Sequence, residues 1–246
     1  MIITDDFVLL NFPKTGTTFT RKIIQKIYED DYEELLLPVA FNIRDIGRRT
    51  QHGTYAQIPI EHRGKTVLSI MRNPFDRYIS QYCFKWYAHS PPESIEKIRA
   101  TYPSFPEMEF VDFLDMSDRF TKKNVLKAYN IFLSTDIGTQ TINFIAFYSN
   151  TPESDLNEMI QNNSDPFLKL PKIHFLHQES LRKELCDFLV GLHRDKDIEK
   201  IISSQEDMNV SRPSEERNLS QFWNPDLHTM YSKKERFLLN AFPEYR

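Results

Sequence analysis

The chain has 246 residues, of which 40% are apolar and 27% charged. That length suits one large domain, and that composition excludes wholesale disorder. Thirty-one basic and 35 acidic residues leave a net charge of −4. This excludes a net basic nucleic-acid footprint but leaves room for a local basic pocket.

In chain order, Phe7 to Asn11 is a short apolar run bounded by Asp5-Asp6 and Pro13, and it reads as a buried strand. Thr17 to Tyr28 follows with Ile23, Ile24, Ile27 and Tyr28 at helical spacing. Thr66 to Met71 reads as a second buried strand. Asn73-Pro74-Phe75-Asp76 then combines a capping Asn, a first-turn Pro and an early acid, a strong helix start. Phe75, Tyr78, Ile79, Tyr82 and Trp86 recur on one face, so this helix is expected to run to about His89 with Trp86 facing the core.

The middle of the chain is punctuated by prolines. Helices are expected around Ser94–Ala100, Phe110–Met116 and Thr139–Tyr148. Lys172 to Leu176 reads as a third strand. A helix over Glu179–Leu192 follows, with Leu181, Leu185, Phe188, Leu189 and Leu192 on one face, and the tail from Asp226 to Asn240 reads as helical. Strands alternating with helices predict a three-layer α/β fold, a central parallel sheet flanked by helices, as a single domain over 1–246.

The two cysteines, Cys83 and Cys186, are too few for a disulfide framework or a Cys-based zinc site and read as reduced core positions. No run of about 18 apolar residues predicts a membrane span. Acidic Asp5 and Asp6 stand where a signal peptide would carry basic residues. The expectation is a soluble protein of a reducing compartment, the cytoplasm.

Two segments carry chemistry. Phe12-Pro13-Lys14-Thr15-Gly16-Thr17-Thr18 joins the first strand to the first helix. A strand–loop–helix turn with a Gly, small hydroxyl residues and a Lys aims backbone N–H groups and positive charge at one point, which makes an anion cradle. It lacks the Gly-x-x-x-x-Gly-Lys order of the nucleotide-kinase loop. The second segment, Arg72-Asn73-Pro74-Phe75-Asp76-Arg77-Tyr78-Ile79-Ser80, starts where the second strand ends. Strand carboxyl ends are where parallel sheets bind ligands, and a guanidinium there suits a bidentate grip on phosphate. Ser80 follows about two helical turns later. An Arg at this place, where magnesium-dependent phosphotransferases tend to carry an acid, points to direct anion binding without a metal.

Together these segments resemble the PAPS-dependent sulfotransferases, which use 3′-phosphoadenosine 5′-phosphosulfate. PKTGTT at 13 to 18 is similar to the family's 5′-phosphosulfate loop, and RNPFDRYISQY at 72 to 82 to its 3′-phosphate element. The resemblance implies a P-loop-like core. It implies that Lys14 aids the leaving phosphate, and that Thr15, Gly16, Thr17 and Thr18 hold the 5′-phosphate. Arg72 and Ser80 would hold the 3′-phosphate, with Ser80 also restraining Lys14. Arg72→Ala would then weaken 3′-phosphorylated nucleotides and spare 5′-AMP. Met208 to Arg212 is similar to a late loop of the family, so Arg212 would join the 3′-phosphate.

The acceptor must lose a proton, so a base is needed. The cytosolic branch carries a His about twenty residues before the 3′-phosphate Arg, which here is His52, in a Gly-containing loop. The carbohydrate branch uses a Glu after the first motif, a place that Glu29, Glu33 or Glu34 would fill. The implied activity moves a sulfuryl group from PAPS to a hydroxyl or amine of a small-molecule or carbohydrate acceptor. Two other classes stay open: a nucleotide kinase-like phosphotransferase, and a non-catalytic module binding 3′-phosphorylated nucleotides. His174, His177 and Glu179 do not form a metal-ligating pattern, because the two His fall on opposite faces of a strand. Phe84, Trp86 and Tyr87, near Tyr82, are candidates for adenine stacking or an acceptor pocket, with core packing the expected job of Trp86; Tyr102, Phe105 and Phe110 are candidates for the acceptor pocket.

Overall fold

The structure is a computed structural model that describes residues 1–193, 196–206 and 221–246. Its strands are β1 (Ile2–Thr4), β2 (Phe7–Leu10), β3 (Tyr32–Glu34), β4 (Leu37–Pro38), β5 (Arg49–Thr50), β6 (Thr66–Met71) and β7 (His174–His177). The helices are α1 (Thr17–Tyr28), α2 (Pro74–Phe84), α3 (Trp86–His89), α4 (Ile95–Thr101), α5 (Phe110–Met116) and α6 (Lys122–Ala128). They continue with α7 (Thr139–Tyr148), α8 (Pro152–Asn162), α9 (Leu181–Leu192), α10 (Ile198–Ser203), α11 (Pro225–Lys234) and α12 (Arg236–Ala241). The protein is α/β, with a five-stranded sheet in the order β3-β1-β2-β6-β7 flanked by helices. The chain forms two compact units. One comprises Met1–Val39, Arg48–Asn73 and 172–206; the other comprises Ala40–Gly47, Pro74–Pro171 and 221–246.

The first unit holds the sheet. The three expected strands are its parallel members: Leu9 pairs with Leu68 and Ile70 with Leu176. β1 and β3, too short to read from periodicity, extend it on one side as antiparallel strands, so the sheet is mixed and not wholly parallel. Strand alternation sends Phe7, Leu9, Leu68, Ile70 and Leu176 to one face. There they pack with Ile23, Ile24 and Ile27 of α1, Leu181, Leu185 and Leu189 of α9, and Ile198 and Ile202 of α10. Each fully buried side chain of this size contributes roughly 1.5–3 kcal/mol. The expected α9 stripe differs at its end, where Leu192 is exposed. The helix also starts at Leu181, because Gln178–Ser180 form a 3₁₀ turn.

The second unit is helical. All ten residues of α7 are buried, so it is the unit's central helix. Glu235, fully buried between α11 and α12, accepts hydrogen bonds from the Gln140 and Thr141 amides in the first turn of α7. A carboxylate there meets the positive end of the helix dipole. Burial pushes its carboxyl up, and donors on Tyr78 and Thr141 oppose that rise.

Two expectations about helices need correction. The helix after Arg72 ends at Phe84, because Lys85 takes φ 51°. That left-handed residue resets the helical phase. Trp86 is turned out, 45% exposed, and Tyr87 is turned in against Phe105 and Phe113. The tail helix is likewise two helices, broken at Glu235. α5 and α7 have the expected bounds, whereas α6 and α8 were not expected.

Candidate active site

The cradle loop leaves β2 at Leu10 and enters α1 at Thr17. Two positive φ angles shape it: Lys14 at 67° and Gly16 at 96°. Alternating backbone hands of this kind gather successive N–H groups into an anion-binding concavity. Gly16 is the N-cap of α1. Its φ disfavours any side chain, and a Cβ there would also approach Leu181 Cδ2 to 2.9 Å. The loop is tied back on itself, because the fully buried Thr15 hydroxyl donates to the Phe12 carbonyl at 2.9 Å. Lys14 and Thr18 are half-buried, and Thr17 is buried at the first turn of α1. First-turn amides point out of a helix with no intrahelical acceptor, and the dipole adds positive charge there.

Arg72 stands directly after β6, and its Nη1 donates to the Lys14 carbonyl at 3.3 Å. The first loop and Arg72, the first residue of the second segment, therefore meet within the first unit. The turn after β7 closes the third side. The Asn73 amide donates to Glu179 Oε1 at 2.9 Å, and Gln178 packs close to Gly16. Within that turn Glu184 accepts from the His177 amide at 2.7 Å and from the Ser180 hydroxyl. Burial alone would raise its carboxyl, but these donors outweigh it and hold Glu184 below the ordinary carboxylate range. The cradle thus sits at the carboxyl ends of β2, β6 and β7. Gln178 and Glu179 were missed by sequence reasoning, since nothing in their spacing marks a turn that folds onto Gly16.

His52 is half-buried beside the same strand ends. Its Nδ1 lies 2.6 Å from the carbonyl of Asn11, the residue after β2. A carbonyl only accepts, so Nδ1 is the donor in this contact. The Gln51 side-chain amide lies 3.4 Å from His52 Nε2, and Gln51's carbonyl takes the side-chain amide of the buried Asn11 at 3.4 Å.

The alternative carboxylates are placed otherwise. Glu29 is exposed at the far end of α1, about 18 Å of helix from the cradle. Glu33 and Glu34 lie on β3, and Glu34 is paired with Arg21. Ser80 belongs to the second unit, buried on α2 at 7% exposure. Arg212 lies outside the described residues. Tyr102, Phe105 and Phe110, candidates for a pocket, are buried in the second unit's aromatic core, with Phe110 against Tyr82 and Tyr102 bonded to Asp115. Cys83 and Cys186 are free thiols and only half-buried. Among the described residues no group of three or more His, Cys, Asp or Glu is arranged to hold a metal, and no helix is long and apolar enough to cross a membrane.

Fold and geometry together define an α/β protein in which a strand–loop–helix turn is joined to Arg72, with His52 at the same edge of the sheet. No family model and no curated protein matches the sequence. Among solved structures the chain is similar to mouse sulfotransferase SULT7A1 complexed with PAP, at 15% identity and a TM-score of 0.49, covering 98% of this chain and 89% of that one.

Proposed function

We propose that residues 1–246 form a single domain that acts as a PAPS-dependent sulfotransferase, transferring a sulfuryl group to a hydroxyl or amine of a small-molecule or carbohydrate acceptor. The observation that carries this reading is the 3.3 Å bond between Arg72 and the Lys14 carbonyl, which ties the PKTGTT loop to the Arg that opens the RNPFDRYIS segment. A phosphate-binding loop and a second anion clamp at its edge are what a nucleotide phosphorylated at both 3′ and 5′ positions requires.

The roles follow from the chemistry of each group. The cradle amides, that of Thr15 among them, and the hydroxyls of Thr17 and Thr18 would hold the 5′-phosphate. Arg72 would grip the 3′-phosphate with its guanidinium fork. The acceptor oxygen attacks sulfur as its proton passes to Nε2 of His52, a step worth about 10²–10⁴-fold for a positioned base. The bond between sulfur and the bridging phosphate oxygen breaks, and that electron pair stays on the 5′-phosphate. Lys14 meets the charge as it develops, an effect of about 10²–10³-fold for a preorganised donor. Roles for Ser80 and Arg212 rest on the sequence motif alone.

The test is calorimetric titration with 3′,5′-ADP and with ATP, each with and without magnesium, followed by turnover of PAPS over an acceptor panel. Metal-independent preference for 3′,5′-ADP with turnover supports the reading. Preference for ATP with magnesium would overturn it in favour of a phosphotransferase. Tight 3′,5′-ADP binding with no turnover on any acceptor would leave a binding module.

A further inference from the structure

We propose that Arg72 is a positioning residue of the 5′-phosphate cradle as well as a phosphate ligand, so that the 3′ and 5′ ends of the nucleotide bind cooperatively through it. The inference rests on the nucleotide reading above and goes beyond the motif, which assigns Arg72 to the 3′-phosphate alone.

The argument starts at Lys14. Its φ of 67° is a left-handed conformation that a side chain disfavours. A loop that stores such strain keeps its shape only where neighbours hold it. The Thr15 hydroxyl holds the loop at the Phe12 carbonyl, and Arg72 Nη1 holds it at the Lys14 carbonyl. That carbonyl belongs to the same planar peptide as the Thr15 amide, and in a trans peptide the two point in opposite directions. Fixing the carbonyl therefore fixes the direction of one cradle N–H.

Arg72 can do both jobs at once. A guanidinium has five N–H donors in a rigid fork, so one can stay on the Lys14 carbonyl while others face a phosphate. A phosphate that immobilises the guanidinium also tightens its grip on the loop. By linkage, a group filling the cradle favours the Arg72 geometry that suits the 3′-phosphate.

This changes the expectation for Arg72→Ala. Losing the pin lowers the fraction of molecules with a competent cradle, and apparent affinity falls in proportion. A 5′-AMP ligand, which has no 3′-phosphate, should bind about threefold to tenfold more weakly, the range of one lost net hydrogen bond. Arg72→Lys keeps the positive charge but offers a compact point donor in place of the fork. It should retain more 3′,5′-ADP affinity than Arg72→Ala and still weaken 5′-AMP.

The experiment measures 5′-AMP and 3′,5′-ADP affinity for wild type, Arg72→Ala and Arg72→Lys. It adds hydrogen–deuterium exchange of residues 13–18 without nucleotide. The expected result is weaker 5′-AMP binding and faster exchange confined to 13–18, in proteins whose melting temperatures match wild type. Unchanged 5′-AMP affinity and unchanged exchange in both variants would overturn the positioning role, even with the nucleotide reading intact. Wild type that binds neither nucleotide would overturn the nucleotide reading, and the cooperativity with it, while the exchange arm still reports on the pin.

Discussion

Gly138→Ala should destabilise the protein through a single carboxylate. Gly138 has φ −71°, which any residue adopts, so the backbone is not the cause. A Cβ there would lie 2.0 Å from Glu235 Oε1 and 2.3 Å from its Cδ. The side chain would have to move by about 1 Å or more to reach ordinary van der Waals contact. Fully buried, it accepts from Tyr78 Oη at 2.6 Å, the Gln140 amide at 3.1 Å, and the Thr141 amide and hydroxyl at 2.8 and 2.7 Å. A hydrogen bond to a charged group contributes roughly 1.5–3 kcal/mol, so loosening two of the four costs about 3 kcal/mol or more. For a chain of this size that is a fall in Tm of about 6–12 °C. Glu235→Ala should cost about 3–5 kcal/mol by leaving those buried donors without their acceptor. In that background the methyl at 138 meets no carboxylate, and Gly138→Ala should cost little. Denaturant unfolding of the four proteins should therefore give a coupling energy of about 3 kcal/mol. Additive costs, or a Gly138→Ala protein within about 0.5 kcal/mol of wild type, would refute the reasoning.

Three further outcomes are expected. Gly16→Ala puts a side chain at φ 96° and should weaken 3′,5′-ADP by about tenfold, the equivalent of roughly 1.4 kcal/mol; calorimetry showing unchanged affinity would sink the cradle geometry. Lys14→Ala should lower kcat by about 10² or more and change nucleotide affinity far less, because its charge matters most as the leaving phosphate forms; equal losses in both would remove it from the chemistry. Glu184 has its folded carboxyl held low, so the native state binds fewer protons than the unfolded one in that window. Its contribution is present above the ordinary carboxylate value and is lost as pH falls through the lowered one. Glu184→Gln should thus differ from wild type in urea midpoint at pH 7 and converge with it in acid; a gap that widens in acid would reverse the sign.

Much of the fold is legible locally. β6 and α1 have the bounds their apolar patterns predict, because a buried strand and an amphipathic helix each announce themselves within a dozen residues. The helix start at Asn73-Pro74 and the chemical character of PKTGTT are equally local. β1 and β3 were not legible, since three residues carry too little pattern and their pairing depends on partners elsewhere in the sheet. Trp86 was misplaced for a related reason. A left-handed Lys85 is not encoded by residue type, and one such residue rotates every side chain after it.

The sequence by itself determined the residue types on offer: a loop with a Lys, a Gly and small hydroxyls, an Arg that ends a strand, and a His in a Gly-containing loop. Only tertiary structure decided that these belong to one place. Arg72 reaches the Lys14 carbonyl because β2 and β6 are parallel neighbours in register, which brings both carboxyl ends to the same edge of the sheet. His52 reaches the Asn11 carbonyl at that edge as well. The physical reason is one of range. Propensity and periodicity act over a few residues, whereas a hydrogen bond between residues 58 apart in sequence exists only once the sheet has set its register.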